Sequence, residues 1–259
     1  MSKELFELDP AKLAAAKYAS TFVESGMVVG LGSGSTASWL VKCLGERVRR
    51  ENLEFRAVAT SKEIAELAES EGLQVTSIEE VLAVDLTIDG ADEFDLNLNL
   101  IKGGGGALVG EKIVACSSQQ IIIIADYTKQ VRVLGRFPLP VEIVQFGWKL
   151  TRELIRLELS LLGWDDSEVV LRTKGTEPFV TDHGNYIVDL HLSEIEDVYD
   201  LEKSLNEVPG IVENGLFLGF ADQVICGHTD GVVEIYDGEG PPDTRKIDIS
   251  SKTPTEQSI

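Results

Sequence analysis

A chain of 259 residues, 43% hydrophobic and 26% charged, has the composition of an ordinary globular protein, with room for one large domain or two modest ones. Its formal net charge of −21 repels nucleic-acid phosphates and anionic lipid, which argues against both as partners. The longest apolar run, Ile121 to Ala125, is too short for a bilayer, and Met1 to Pro10 lacks the basic and apolar regions of a secretory signal. Along the chain, Ala11 to Val23 predicts a helix, Met27 to Leu31 a strand and Thr36 to Arg50 a helix. Phe55 to Thr60 predicts a strand, and Lys62 to Glu71 a helix with Ile64, Leu67 and Ala68 on one face. Asp85 to Asp89 and Ile121 to Asp126 are short apolar runs of the kind buried on both faces of a parallel sheet. This alternation predicts an α/β fold: a Rossmann-like doubly wound domain over residues 1–135, completed by about 208–236, with ligands at the carboxyl ends of the strands.

The pattern changes near Arg136, where Phe137 to Pro140 carries two prolines and reads as a domain junction. Beyond it, Val141 to Phe146 predicts a strand, Lys149 to Leu162 a helix, Glu168 to Thr173 and Asn185 to Leu192 strands, and Val198 to Glu207 a helix. A strand around Gly215 to Gly219 is expected to close the unit. This β-α-β-β-α-β order predicts a smaller ferredoxin-like α+β domain over residues 136–207. Residues 237–259, rich in Gly, Pro, Ser, Thr and charge, are expected to form a disordered acidic tail. Cys43, Cys116 and Cys226 have no CxxC spacing and read as reduced, buried thiols of a cytosolic protein. His183, His191 and His228 show no metal-ligand spacing, so neither metal nor cofactor is expected.

Four segments carry candidate chemistry. Gly30-Leu-Gly-Ser-Gly-Ser-Thr36 follows a strand and opens a helix, where glycines admit an anion and hydroxyls and helix-start amides donate to it. It is neither a dinucleotide GxGxxG nor a Walker loop, since Ser35 and Thr36 stand where those need glycine or lysine. A monophosphate cradle fits best, and a capped turn with Ser33 or Ser35 as N-cap is the competing reading. In Thr87-Ile-Asp-Gly-Ala-Asp-Glu-Phe-Asp95, a strand ends in clustered Asp89, Asp92 and Glu93, with small Gly90 and Ala91 leaving room for a ligand. In the third segment Lys102 precedes four consecutive glycines, Gly103 to Gly106, and Glu111 follows on a helix. The fourth, Ile121 to Lys129, ends a strand in another lysine. Together these residues suit proton abstraction beside a carbonyl, which needs a base, an acid and support for an enediolate.

In order and spacing, GLGSGST (Gly30 to Thr36), DGADE (Asp89 to Glu93), KGGGGAL (Lys102 to Leu108) with Glu111-Lys112, and ADYTK (Ala125 to Lys129) resemble the ribose-5-phosphate isomerase type A family. Val180 to Asp189 and Pro209 to Phe217 extend the resemblance, which covers about Pro10 to Tyr236. The resemblance implies a Rossmann-like domain plus a ferredoxin-like one. It implies metal-free interconversion of D-ribose 5-phosphate and D-ribulose 5-phosphate through an enediol, by a cytoplasmic homo-oligomer, dimer or tetramer. It further implies Glu111 as general base and Asp89, Asp92 and Lys102 as its acidic and basic partners. Substrate contacts would be Ser33, Gly34, Ser35, Thr36, Asp89, Gly90, Ala91, Asp92, Lys102, Gly103, Gly104, Gly105 and Lys129, with Lys12 as a further phosphate contact. The sequence departs from the family at Ser33, commonly threonine, and at Gly110, often arginine. Three rivals remain. A sugar-phosphate-sensing regulator would need a helix-turn-helix domain that has no room here. An amino-sugar phosphate deaminase would need a histidine near the carboxylates, and the third rival is a nucleotide-dependent oxidoreductase.

Overall fold

Ile121 to Asp126 is extended because a run of β-branched residues favours that backbone and offers side chains to both faces. In the computed structural model, which describes residues 9–250, Ile122 and Ile124 enter one core and Ile121 and Ile123 another. That is the period of two of a pleated strand. The chain runs α1 (Pro10–Ser20), β1 (Val28–Leu31), α2 (Ser35–Glu51), β2 (Arg56–Ala59), α3 (Lys62–Ser70), β3 (Gln74–Val75) and β4 (Leu86–Gly90). It continues through β5 (Glu93–Phe94), β6 (Leu100–Ile101), α4 (Leu108–Cys116) and β7 (Ile121–Asp126). Asp9 starts α1 by accepting from the Ala11 and Lys12 amides, with Pro10 at the first helical position.

A second unit follows: β8 (Leu139–Ile143), α5 (Trp148–Leu161), β9 (Glu168–Leu171), β10 (Thr173–Lys174), β11 (Glu177–Pro178), β12 (Tyr186–His191), α6 (Val198–Asn206) and β13 (Ile211–Asn214). The chain then returns through β14 (Leu216–Phe217), β15 (Gln223–Gly227), β16 (Val232–Tyr236) and β17 (Asp243–Lys246). The main sheet has the order β17-β16-β15-β7-β4-β1-β2-β3, parallel from β15 to β3 with an antiparallel edge. Helices α1, α2 and α3 pack on one face, and α4 on the other through Val114 and Ala115. The strand order reverses between β1 and β4, so their carboxyl ends diverge and leave a crevice, where open α/β sheets bind ligands.

The four-stranded sheet β13-β8-β12-β9 is antiparallel, and α5 and α6 bury Ile155, Leu159, Leu201 and Leu205 against it. This is the β-α-β-β-α-β arrangement that the sequence predicts, with one correction. Its closing strand is Ile211–Asn214, not Gly215 to Gly219. Leu216–Phe217 instead pairs with β6 in a separate three-stranded sheet, β14-β6-β5, and Phe217 enters the core beside β7.

The expected disordered tail is corrected over residues 243–249. Asp243 to Lys246 forms an edge strand on β16, and Ile247 and Ile249 pack onto the core under α1. The Lys17 ammonium donates to the Asp248 carbonyl at 2.6 Å. Ile247 and Ile249, alternating with charged neighbours just past this strand, dock the stretch. Cys226 is buried, but Cys43 is only partly so and Cys116 is exposed. Residues 1–8 and 251–259, which hold most of the leader reading and the end of the tail, lie outside the described residues. Among those described, no helix is long and apolar enough to cross a membrane.

Candidate active site

The loop read as a candidate anion cradle lies at the carboxyl end of β1. Gly34 is the N-cap of α2 with φ +93°, a left-handed backbone that favours glycine, and no side chain caps the helix. The capped-turn reading with Ser33 or Ser35 as N-cap therefore does not hold, and the first amides of α2 face the cleft without a side-chain competitor. Ser33 turns its hydroxyl to Thr60 and Ser61, both at 2.8 Å, which fixes the loop to the end of β2. Gly32 must be glycine because a Cβ there would fall 1.8 Å from the Asp89 Oδ1. Lys129, ending a single 3₁₀ turn capped by Asp126, and Lys12, 3.2 Å from Asp9, reach the same cleft.

Ser33 to Thr36 line one end of the cleft. Gly90 to Asp92, Lys102 to Gly105 and Glu111 line the other. Asp89 is brought to the same cluster but does not line the cleft. Its Oδ1 accepts from the Ser33 and Gly90 amides at 3.1 and 2.6 Å, and its Oδ2 lies 3.0 Å from the Lys102 Nζ. Asp92 is half-buried and accepts from the Gly104 amide at 2.7 Å, which ties the β4 loop to the glycine loop.

Lys102 stands at the centre, 3% exposed, donating to the Gly90 carbonyl at 2.6 Å. Burial alone would depress its ammonium, but the carboxylates of Asp89 and then Glu111 more than offset this and hold it above the usual lysine range. Glu111 sits in the first turn of α4, 4% exposed. Lys102 Nζ lies 3.3 Å from the Glu111 Oε2, yet off the hydrogen-bonding direction, so that buried oxygen has no donor. Burial first and the Asp89 charge second push the Glu111 carboxyl up, to about 8, against the opposing pull of Lys102. A buried, donor-free carboxylate oxygen of raised basicity, held at the edge of a cleft, is equipped to take a proton from carbon.

Several residues fall elsewhere than the sequence suggests. Glu93, clustered in sequence with Asp89 and Asp92, points away from the cleft. Its buried carboxylate accepts from the Gly135 and Phe137 amides at 2.8 and 2.7 Å and anchors the junction. Lys112 also turns inward, donating to Glu213 and to the Asn214 and Leu216 carbonyls. At Gly110 a Cβ would fall 2.4 Å from the Thr60 carbonyl oxygen, so here α4 approaches β2 too closely for the arginine common in the family. Sequence spacing offered no metal ligands, whereas the β15–β16 hairpin gathers Cys226, His228 and Glu234. There the Glu234 carboxylate already bonds the His228 ring at 3.1 Å and accepts from the Tyr236 hydroxyl at 2.9 Å. Arg172, which no sequence motif marks, reaches the glycine loop from the second unit.

Known proteins resemble this chain in both sequence and fold. The family described as ribose 5-phosphate isomerase A (phosphoriboisomerase A) matches residues 56–231. The ribose-5-phosphate isomerase A of Ruegeria pomeroyi is 52% identical over 252 residues, covering 96% of this chain and 95% of that protein. Among solved structures, the ribose 5-phosphate isomerase A of Methanocaldococcus jannaschii has a TM-score of 0.78 at 36% identity, over 92% of this chain and 98% of that one. A D-ribose-5-phosphate isomerase in complex with phospho-erythronic acid gives a TM-score of 0.81 at 38% identity, over 88% and 97%. Agreement of sequence and fold across nearly the whole length leaves one placement: the chain belongs to the ribose 5-phosphate isomerase A family.

Proposed function

We propose that this chain interconverts D-ribose 5-phosphate and D-ribulose 5-phosphate, with Glu111 moving the proton between C1 and C2 of the open-chain sugar. The observation that carries the assignment of the base is the buried Glu111 Oε2, which has no hydrogen-bond donor and sits at the cleft beside Lys102. Glu111 takes the C2 proton of the aldose. The C2 electron pair then forms the C1–C2 double bond, and the carbonyl electrons move onto O1 as an enediolate. The same carboxyl returns the proton to C1, C2 becomes the carbonyl carbon, and the O2 hydroxyl proton passes to O1. Lys102 and the loop amides stabilise the negative oxygens. Asp92 lies where it can serve proton traffic at oxygen, and Asp89 positions Lys102 and Ser33. Incubation with ribose 5-phosphate in heavy water tests the reading. Proton spectra should show ribulose 5-phosphate with solvent deuterium at C1, and absence of conversion overturns it.

The phosphate is assigned to the α2 start and Lys129. A hydrogen bond to a charged group contributes about 1.5–3 kcal/mol. A phosphate is held alike in ground and transition states, so Lys129→Ala should raise KM roughly 10- to 100-fold with a smaller change in kcat. Steady-state kinetics on ribose 5-phosphate check this, and an unchanged KM rejects the assignment.

A second copy of the chain is assigned to the outer face of α5. Leu150, Leu157 and Leu161 are exposed there at helical spacing, and Phe146 is exposed just before the helix. The molecular mass in solution should exceed that of one chain, and a monomer by light scattering would remove this reading. The compartment assigned is the cytoplasm, in keeping with three unpaired cysteines.

A further inference from the structure

Arg172 follows β9 in the second unit, and its guanidinium is divided between two tasks. Nε and Nη2 grip the Asp189 carboxylate on the neighbouring β12, with Nε to Oδ2 at 3.0 Å. Nη1 donates to the carbonyls of Gly103 and Gly104 at 2.8 and 3.0 Å. Arg172 and Asp189 are both largely buried, and the Phe179 ring lies 5.9 Å from the guanidinium carbon. Phe179 also packs over Gly106 at the far end of the glycine run. The fork is thus fixed by a bidentate ion pair and a ring before it meets the loop.

The consequence lies in peptide geometry. A trans peptide points its C=O and the following N–H in opposite directions. The Gly103 carbonyl faces Arg172, and the N–H of the same peptide, that of Gly104, faces Asp92 at 2.7 Å. The Gly104 carbonyl also faces Arg172, which turns the Gly105 N–H to the opposite side, where Gly105 lines the cleft. Glycine peptides flip readily because both signs of φ are open to them. Within the loop the Gly106 amide also donates to the Gly103 carbonyl, at 3.0 Å, whereas the Gly104 carbonyl is held by Arg172, from outside the loop.

We infer that Arg172 is a positioning residue for the isomerase reaction, locking the Gly103–Gly104 and Gly104–Gly105 peptides so that one amide holds Asp92 and the next faces the sugar oxygens. It acts from the second unit, so that unit takes part in shaping the site. This rests on the assignment of the cleft as the catalytic site.

The test compares Arg172→Ala and Arg172→Lys with the native enzyme and with Glu111→Gln. Lysine keeps the charge beside Asp189 but cannot grip a carboxylate and two carbonyls at once. Misplacement of catalytic groups by about 1 Å costs on the order of 10²-fold. Arg172→Lys should therefore keep a near-native melting temperature while kcat falls roughly 10- to 100-fold. Competitive inhibition by inorganic phosphate, which reads the α2 end of the cleft, should stay unchanged. Arg172→Ala should lose at least as much kcat. Native kcat in Arg172→Lys overturns the inference, as does a loss in either variant that vanishes once rates are referred to the folded fraction. If Glu111→Gln is inactive and the Arg172 variants are native, the clamp alone fails. If Glu111→Gln is fully active, the site assignment fails with it.

Discussion

Glu111→Gln is expected to lower kcat by about 10²- to 10⁴-fold, the usual worth of a general base, with KM little changed. Glutamine keeps the shape of a side chain that is 4% exposed, so packing of α4 is preserved while basicity is lost. Incorporation of solvent deuterium into the sugar should fall in step with kcat. The pH dependence gives a second readout. Burial and the Asp89 charge push the Glu111 carboxyl up, to about 8, with Lys102 opposing. A base works in its ionised form, so native kcat/KM should fall as pH drops through the neutral range rather than near pH 4, the usual carboxylate region. Glu111→Gln should lack that limb. Near-native turnover by the variant would shift the base to Asp92, because the Asp89 oxygens are already taken by two amides and Lys102.

Much of this site is legible in sequence because its parts are local. The phosphate cradle needs a strand, a tight turn and a helix start, all within Val28 to Thr36. The β-α-β-β-α-β unit is legible for the same reason, each element declaring itself through its own apolar periodicity. What sequence could not resolve is direction. Asp92 and Glu93 are neighbours in the chain, and β5 starts at Glu93, so the chain turns one acid to the cleft and the other to the junction. Arg172 was invisible because its partners lie 69, 68 and 17 residues away, and no local pattern encodes a contact between units. The tail misled because low hydrophobicity reads as disorder. Two isoleucines, Ile247 and Ile249, and the edge of β16 are enough to order residues 243–249.

Lys102→Met removes the cation from a buried cluster, and it is expected to cost roughly 3–5 kcal/mol of stability, the range for breaking a buried ion pair by deleting one partner. The Lys102 side chain stands between Asp89 Oδ2 at 3.0 Å and Glu111 Oε2 at 3.3 Å, with the Phe217 ring 5.3 Å from its ammonium. Methionine fills the space beside that ring but leaves two carboxylates facing each other without a counter-ion. Glu111, already pushed up to about 8, then keeps its proton to higher pH. Burial and Asp89 already raise Glu111, and Lys102 is what opposes them, so Glu111 rises further in the variant. A carboxyl whose folded pKa lies above its unfolded one contributes its stability when protonated, and that contribution is lost as pH climbs from the unfolded toward the folded value. The stability deficit of Lys102→Met should therefore widen as pH climbs above about 8, the native Glu111 value, as urea unfolding at several pH values would show. Activity should fall at least as far as in Glu111→Gln, since the base is protonated and the cation facing the enediolate is gone. Removing a single oxyanion donor alone costs about 10²- to 10³-fold. A variant that unfolds at native urea concentrations at pH 9, or turns over ribose 5-phosphate at the native rate, would show that Lys102 does not oppose the rise of the Glu111 carboxyl.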